Sequence, residues 1–104
     1  MKTLVCFGDS VTLGIPHVAA DDTFPRLLER RLNQRPSQEE RVVCSNSGVG
    51  GENTVEGLAR LRRAVLAHEP QLVVVEFGLN DIRYEPEKTV SPEDFAANLR
   101  TIHD

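Results

Sequence analysis

The segment Leu72 to Phe77, with the sequence LVVVEF, is the stretch that decides the fold of this chain. It is almost continuously apolar, it is rich in β-branched residues, and it hardly alternates between apolar and polar side chains. Such a run is typical of a strand that is buried on both faces of a parallel sheet. Two other apolar runs, Leu4 to Phe7 and Arg41 to Cys44, predict two further strands.

Helical patterns lie between and after the predicted strands. Apolar residues from Phe24 to Leu32 recur with helical spacing, and Thr23 is the expected N-cap. A second helix is predicted to begin at Asn53, because Glu56 three residues later comes close to a capping box. A third helix is predicted to start at Ser91, whose hydroxyl suits an N-cap.

This alternation of strands and helices predicts an α/β fold, in which a flavodoxin-like parallel sheet carries helices on its faces. We expect the strand order 2-1-3, which leaves the strand at residues 72–77 at an edge of the sheet. An apolar edge strand favours pairing with another chain, so we expect self-association through this edge. The 104 residues suffice for one modest core. We interpret residues 1–104 as a single domain.

The composition excludes several classes of function. The chain has 12 Lys and Arg against 16 Asp and Glu, and it lacks the clustered basic run that nucleic-acid binding requires. Arg60, Arg62 and Arg63 form its one dense basic stretch, which we interpret as the solvated face of a helix. No apolar run approaches the ~20 residues of a membrane span, and the two cysteines are too few for a disulfide scaffold. We therefore expect a cytoplasmic protein that neither binds nucleic acid nor spans a membrane.

Each predicted strand runs directly into a cluster of small and polar residues, at positions 8–14, 46–54 and 78–81. The carboxyl ends of neighbouring parallel strands meet at one edge of a sheet, so these three loops should lie together. Ser10 could supply a nucleophile there, while a glycine turn and Asn80 could supply donors to a developing oxyanion. This combination is typical of acyl transfer or ester hydrolysis.

Each cluster also has a simpler interpretation. Ser10 can belong to a turn, and Asn80 can be a turn residue or a helix cap. The glycines at positions 48, 50 and 51 could cradle a phosphate, but the G-x-G-x-x-G fingerprint fails because Asn53 occupies its last position. A P-loop is excluded because the Gly-Lys-Ser/Thr sequence is missing. Nucleotide binding is therefore disfavoured.

Three segments resemble the first three sequence blocks of the SGNH/GDSL hydrolases, in the same order and at similar spacing. They are Gly8-Asp9-Ser10, the loop from Asn46 to Gly51, and Gly78-Leu79-Asn80-Asp81. The chain is most similar to the bacterial acyl-ester and thioester hydrolases of the lysophospholipase/thioesterase type. The resemblance runs along nearly the whole chain.

The resemblance implies a role for each matching residue. Ser10 would be the nucleophile, Gly51 and Ser10 would give backbone N–H groups to the oxyanion hole, and Asn80 would give the side-chain donor. Asp9 and Asp81 would brace the loops by hydrogen bonds. The substrate would be a small acyl ester or thioester, and the reaction would need neither a metal nor a cofactor.

The fourth block of the family, Asp-x-x-His, has no match in this sequence. In the family it supplies the general base and the acid that orients it. Of the histidines His17, His68 and His103, only His17 lies in the loop after the nucleophile. We interpret the chain as the N-terminal part of an SGNH hydrolase domain, truncated after the third βα unit. The expected function is a serine ester hydrolase that is weakly active or inactive alone; the alternative is a non-catalytic α/β module that associates through its open sheet edge.

Overall fold

A computed structural model describes residues 1–35, 40–82 and 87–103 of the chain. Three parallel strands form one sheet in the order β2-β1-β3. Their bounds are Lys2–Gly8 for β1, Val42–Gly48 for β2 and Leu72–Glu76 for β3. The α/β fold, the parallel sheet and the strand order predicted from the sequence are confirmed.

In the described part of the chain, four α-helices accompany the sheet: α1 at Ser10–Leu13, α2 at Phe24–Asn33, α3 at Thr54–Ala64 and α4 at Pro92–His103. The capping box at the start of α3 is present, because Asn53 and Glu56 each accept a hydrogen bond from the other's backbone N–H. Two single turns of 3-10 helix, Ala20–Asp22 and Leu66–His68, complete the described regular structure. Within the described ranges, no helix is both long and apolar enough to cross a membrane.

The core lies on the two faces of β1, the central strand. Leu4 and Cys6 face α2 on one side, and Val5 and Phe7 face α3 and α4 on the other. These four side chains are almost completely buried, because both neighbouring strands and both helical layers cover them. The alternation of faces along β1 therefore fixes which helix packs on which side of the sheet.

Strand β2 is longer than the apolar run predicted. It continues through polar residues to Gly48, because its register with β1 persists as far as the pair Gly8 and Gly48. Asn46 consequently lies inside the strand and not in the loop after it.

Side chains of α2 occupy the outer edge of β2. The Asn33 side chain donates to the carbonyl of Val42 at 2.9 Å and accepts from its N–H at 2.8 Å. A carboxylate oxygen of Glu29 accepts from the N–H of Cys44 at 3.0 Å. Three backbone groups of β2 that a further strand could use are therefore already paired with helix side chains.

The opposite edge of the sheet, β3, is more exposed than an interior strand. Leu72 is 57% exposed and Val75 is 39% exposed, in keeping with the expected place of this strand at an edge of the sheet. Val74, by contrast, packs against the core cluster beneath α2. An apolar groove of about 460 Å³ runs beside β3, between α3 and α4, and its lining includes Leu66, Val75 and Leu99.

Candidate active site

The loops that follow the three strands meet at one end of the sheet, as the sequence predicts. The N–H of Val49, after β2, donates to the carbonyl of Gly8 at the end of β1. The side-chain amide of Asn80, after β3, donates to the carbonyl of Glu52 at 3.0 Å. The loop after β2 is thus hydrogen-bonded to both of the others.

Ser10 is exposed at the start of α1, and hydrogen bonds fix the backbone on both sides of it. Asp9, which is fully buried, caps this short helix by accepting from the N–H of Val11 at 2.9 Å. The carbonyl of Ser10 accepts from the N–H of Gly14 at 2.8 Å. The serine therefore presents its side chain to solvent from a fixed turn.

The glycine turn after β2 lies beside Ser10. A methyl group placed on Gly50 would come 3.9 Å from Cβ of Ser10. Gly51, the next residue, has φ of 76°, a left-handed conformation that favours glycine. These glycines let the backbone pass close to the serine without a side chain between them.

Asn80 is held by contacts to both of the other loops. Besides its bond to Glu52, its Nδ2 lies 3.5 Å from Oδ2 of Asp9, at the long limit of a hydrogen bond. The amide is thereby oriented in the space between Asp9 and the glycine turn.

Asn46 joins the loop after β1 to strand β2. Its Nδ2 donates to the carbonyls of Thr12 and Leu13 at 3.1 and 3.2 Å, and its Oδ1 accepts from the N–H of Gly48 at 3.0 Å. These bonds satisfy carbonyls at the end of α1, which its short length leaves without helical partners.

Arg60 is a structural residue that the sequence analysis misassigned. Its Nε donates to both carboxylate oxygens of Glu52, at 2.7 and 2.8 Å, and its Nη2 donates to the carbonyls of Gly8 and Ser47. Its guanidinium carbon lies 4.7 Å from the centroid of the Phe7 ring. The interpretation as a solvated face is wrong for Arg60, which ties the loop after Gly51 to the ends of β1 and β2.

The neighbouring Arg62 and Arg63 are exposed, as the sequence predicts. What distinguishes Arg60 is its position on the helix face that points toward the sheet. Its partner Glu52 lies eight residues earlier, outside the spacing of helical ion pairs, so the pattern of charges in the sequence gives no signal for it.

Asp9 and Asp81 have the bracing role that the resemblance implies. Both carboxylates are buried and both accept backbone N–H groups, Asp9 from Val11 and Asp81 from Thr54.

Glu76, the last residue of β3, is a further polar residue that the sequence analysis did not single out. Its carboxylate accepts from the hydroxyl of Thr12 at 2.9 Å. The pKa of Glu76 is raised to about 7, mainly by burial and to a smaller extent by the neighbouring Asp9 side chain. The available signal was an acidic residue inside an otherwise apolar strand.

The three histidines lie in different surroundings. His17 is exposed and lines the same open cavity of about 410 Å³ as Ser10, together with Val11 and Val18. His68 lies in the 3-10 turn after α3, and His103 lines the apolar groove beside β3. No histidine of the described ranges is hydrogen-bonded to the Ser10 hydroxyl, and these ranges also contain no group of three or more metal-binding side chains.

A sequence model of the GDSL-like lipase/acylhydrolase family matches residues 6–104. An arylesterase of Vibrio mimicus is 34% identical over 91 residues, which are 86% of this chain and 44% of that protein. Thioesterase 1/protease 1/lysophospholipase L1 of Escherichia coli K12 is 35% identical over 84% of this chain and 39% of that protein. The chain thus spans about two fifths of the length of these curated relatives.

Solved structures of hydrolases are also similar to this chain, which again covers about half of their length. The lipase/acylhydrolase of Enterococcus faecalis superposes with a TM-score of 0.82 at 33% identity, over 98% of this chain and 50% of that one. The esterase AlinE4, described as a member of the SGNH-hydrolase family, gives a TM-score of 0.78 at 29% identity, over 97% of this chain and 50% of its own.

Proposed function

The chain belongs to the GDSL-like lipase/acylhydrolase family, and on that premise we propose that it carries the nucleophile and the oxyanion hole of a serine ester hydrolase. The observation that carries the proposal is the convergence of three loops. It brings an exposed serine beside a glycine turn, and it lets the Asn80 amide donate a hydrogen bond to the carbonyl of Glu52. The roles of Ser10, Gly51 and Asn80 are part of this proposal.

In the proposed reaction, Oγ of Ser10 attacks the carbonyl carbon of an ester or thioester while a base takes its proton. The carbonyl oxygen becomes an oxyanion, which the N–H groups of Ser10 and Gly51 and the amide of Asn80 stabilise. Collapse of this intermediate expels the alcohol or thiol and leaves an acyl-serine. Water then attacks the acyl group and releases the carboxylic acid and free Ser10.

Two observations support an acyl ester or thioester as the substrate class. The relatives are described as an arylesterase and a thioesterase. The cavity beside Ser10 has apolar side chains, Val11 and Val18, which are 50% and 42% exposed and would cover an apolar part of the substrate.

The free cysteines, Cys6 and Cys44, are compatible with the reducing cytoplasm that we propose as the location of the protein.

Among the groups that this reaction needs, the base that activates Ser10 has the least support in the described residues. Of the three histidines, only His17 shares a cavity with the serine, and the sequence contains no Asp-x-x-His. We therefore expect weak activity from this chain by itself, because removal of triad members reduces kcat by a factor on the order of 10⁴–10⁶ in a comparable serine enzyme.

The direct test is covalent labelling of Ser10. The purified chain is incubated with a fluorophosphonate and the modified residue is located by peptide mass spectrometry. We expect slow labelling at Ser10 that is absent in Ser10→Ala and reduced in Asn80→Ala, while the control Ser91→Ala, at an exposed serine before α4, keeps the wild-type rate. Labelling that is missing from Ser10, or that persists unchanged in Asn80→Ala, would contradict the proposed roles.

Turnover of p-nitrophenyl acetate tests the base. We expect little hydrolysis above the Ser10→Ala background. Fast hydrolysis that Ser10→Ala abolishes would mean that the chain holds its own base, and His17→Ala would then show whether His17 provides it.

The second candidate function is an interaction module that pairs through the edge of β3. The exposure of Leu72 and Val75, beside the apolar groove, favours it. Sedimentation velocity should show association of the wild type that weakens in Val75→Lys. Val75 is chosen over its neighbour Val74 because Val74 packs against the core. A monomeric wild type with a sharp two-state melt would exclude this candidate.

A further inference from the structure

Glu76 projects from the end of β3 into the turn that carries Ser10. It pairs in register with Gly8, and its Oε1 accepts from the hydroxyl of Thr12 at 2.9 Å and from the N–H of Asp9 at 3.3 Å. One carboxylate oxygen thus binds the turn on both sides of the serine, at the residue before it and at the second residue after it.

The space for this carboxyl group exists because position 8 has no side chain. A methyl group placed on Gly8 would come 2.8 Å from Oε1 of Glu76 and nearer still to the hydroxyl of Thr12. Any larger residue at position 8 would push the carboxyl group out of the turn. The contact between Glu76 and the turn is therefore part of the close packing of the fold.

The carboxyl group of Glu76 lies beside Asp9, whose N–H donates to its Oε1 at 3.3 Å. Asp9 is fully buried, and its carboxylate also accepts from the N–H of Val11 and faces Nδ2 of Asn80. A negative charge on Glu76 would lie next to Asp9, so the neutral form of the Glu76 carboxyl group is favoured there.

We propose that Glu76 is a positioning residue for the nucleophile: its carboxyl group, bonded to the N–H of Asp9 and the hydroxyl of Thr12, holds the Ser10 turn and, through Asp9, the Asn80 amide in one arrangement. The groups that act on this carboxyl are the side chain and N–H of Asp9, from the loop after β1, and the hydroxyl of Thr12, from α1. Loss of the proton on Glu76 places a negative charge beside Asp9. The resulting repulsion separates the end of β3 from the turn, and it moves Asn80 relative to Ser10.

The burial and pairing that raise the pKa of Glu76 to about 7 place this event near neutral pH. Glu76→Gln keeps the shape of the side chain, and its amide can donate to Asp9 while its carbonyl accepts from Thr12. The variant therefore retains the contacts but has no proton to lose. This substitution separates the effect of ionisation from the effect of the contact itself.

Nuclear magnetic resonance tests the proposal independently of any enzymatic activity. The backbone amide of Ser10 and the side-chain amide of Asn80 are followed from about pH 5 to about pH 9. We expect both signals of the wild type to shift together with a midpoint near pH 7, and to be pH-independent in Glu76→Gln. Glu93→Gln, at an exposed glutamate on α4, is the matched control and should titrate like the wild type.

Thr12→Val provides a second variant in case Glu76→Gln does not fold. It is nearly isosteric and removes the hydroxyl bond that lowers the pKa of Glu76, so the midpoint should move to higher pH. Signals that do not titrate in the wild type, or that titrate equally in Glu76→Gln, would overturn the proposal.

Labelling of Ser10 connects this arrangement to the proposed function. Unlike the resonance titration, this experiment rests on the proposed function. Because small displacements of reacting groups have large effects on rate, we expect the labelling rate of Glu76→Gln relative to wild type to rise at least ~3-fold from about pH 6 to about pH 8. A constant ratio would overturn the proposal. A wild type without labelling would instead count against the proposed function, and the resonance titration would still decide the role of Glu76.

Discussion

Asp81 binds both the backbone and the side chain of Thr54: its Oδ2 accepts the Thr54 hydroxyl at 2.6 Å, and its two oxygens lie 3.2 and 3.1 Å from the Thr54 N–H. Both residues are buried. Since Asp81 follows Asn80 and Thr54 begins α3, these bonds connect the proposed side-chain donor to the helix behind the glycine turn. Asn98 of α4 donates to the same hydroxyl at 2.9 Å, so a third element shares the contact.

Replacement of Asp81 by alanine should therefore destabilise the fold strongly. It leaves the N–H and hydroxyl of Thr54 buried without their acceptor, and we expect a loss of about 2–4 kcal/mol in the free energy of unfolding. Urea unfolding followed by circular dichroism measures this loss. Asp21→Ala, at a side chain that is 78% exposed, should change stability by less than about 0.5 kcal/mol; similar losses in both variants would contradict the assignment.

Arg60→Lys should also destabilise the chain although it preserves the charge. A lysine cannot reproduce the fork that binds Glu52 together with the carbonyls of Gly8 and Ser47, so we expect a loss of roughly 1–3 kcal/mol. The same denaturation experiment on Arg62→Lys, an exposed position on the same helix, should give no measurable change. Equal stability of the two variants would show that Arg60 is only a solvated residue.

The stability of the chain should fall as the pH rises from about 4.5 to about 7, through the contribution of Glu76. Its pKa is about 7 in the folded chain against an ordinary value of 4.5, so in this window the folded state binds more protons than the unfolded state. The contribution is fully present below pH 4.5 and is lost by about pH 7. Unfolding free energies of wild type and Glu76→Gln, measured across this range, should converge or cross, whereas a constant difference would contradict the raised pKa.

Gly57→Ala should destabilise α3 even though alanine is the better helix former. The added methyl group would lie 2.7 Å from the ring of Phe77, which packs edge-on against Phe7 with 5.0 Å between centroids. Overpacking of this kind costs about 1–3 kcal/mol, more than the ~1 kcal/mol of helix propensity that the substitution gains. Thermal melting should show a lower Tm, while Gly50→Ala, whose nearest neighbour would be 3.9 Å away, should melt near the wild type. A raised Tm for Gly57→Ala would mean that Phe77 moves aside.

The parts of the fold that follow from local pattern could be predicted from the sequence. Apolar runs located all three strands, and the capping box at Asn53 located the start of α3. The strand order was predictable from the flavodoxin-like architecture, because the alternation of strands and helices does not by itself select it. The end of β2 was not predictable, because its last residues are polar and belong to the strand only through pairing with β1.

The contacts of the candidate site were harder to predict than its residue types. The loops around Ser10 and Asn80 were identifiable because each follows a strand of one parallel sheet. Arg60 and Glu76 were not identifiable from the sequence: Arg60 binds Gly8, 52 residues away, besides Glu52, and Glu76 binds Thr12, 64 residues away. Such pairs depend on which helix face and which strand face meet, and single-residue patterns do not encode that.

The bonds from Asn33 and Glu29 to the outer strand β2 also constrain how copies of this chain could assemble. If one edge of a sheet could pair with the opposite edge of the next copy, each addition would leave a new open edge, and the result would be an endless filament. Occupation of the β2 edge by these side chains disfavours that head-to-tail arrangement. Pairing through β3 instead consumes the same edge on both partners, so it closes after two copies, and the asymmetry of the sheet favours a finite dimer over fibre growth.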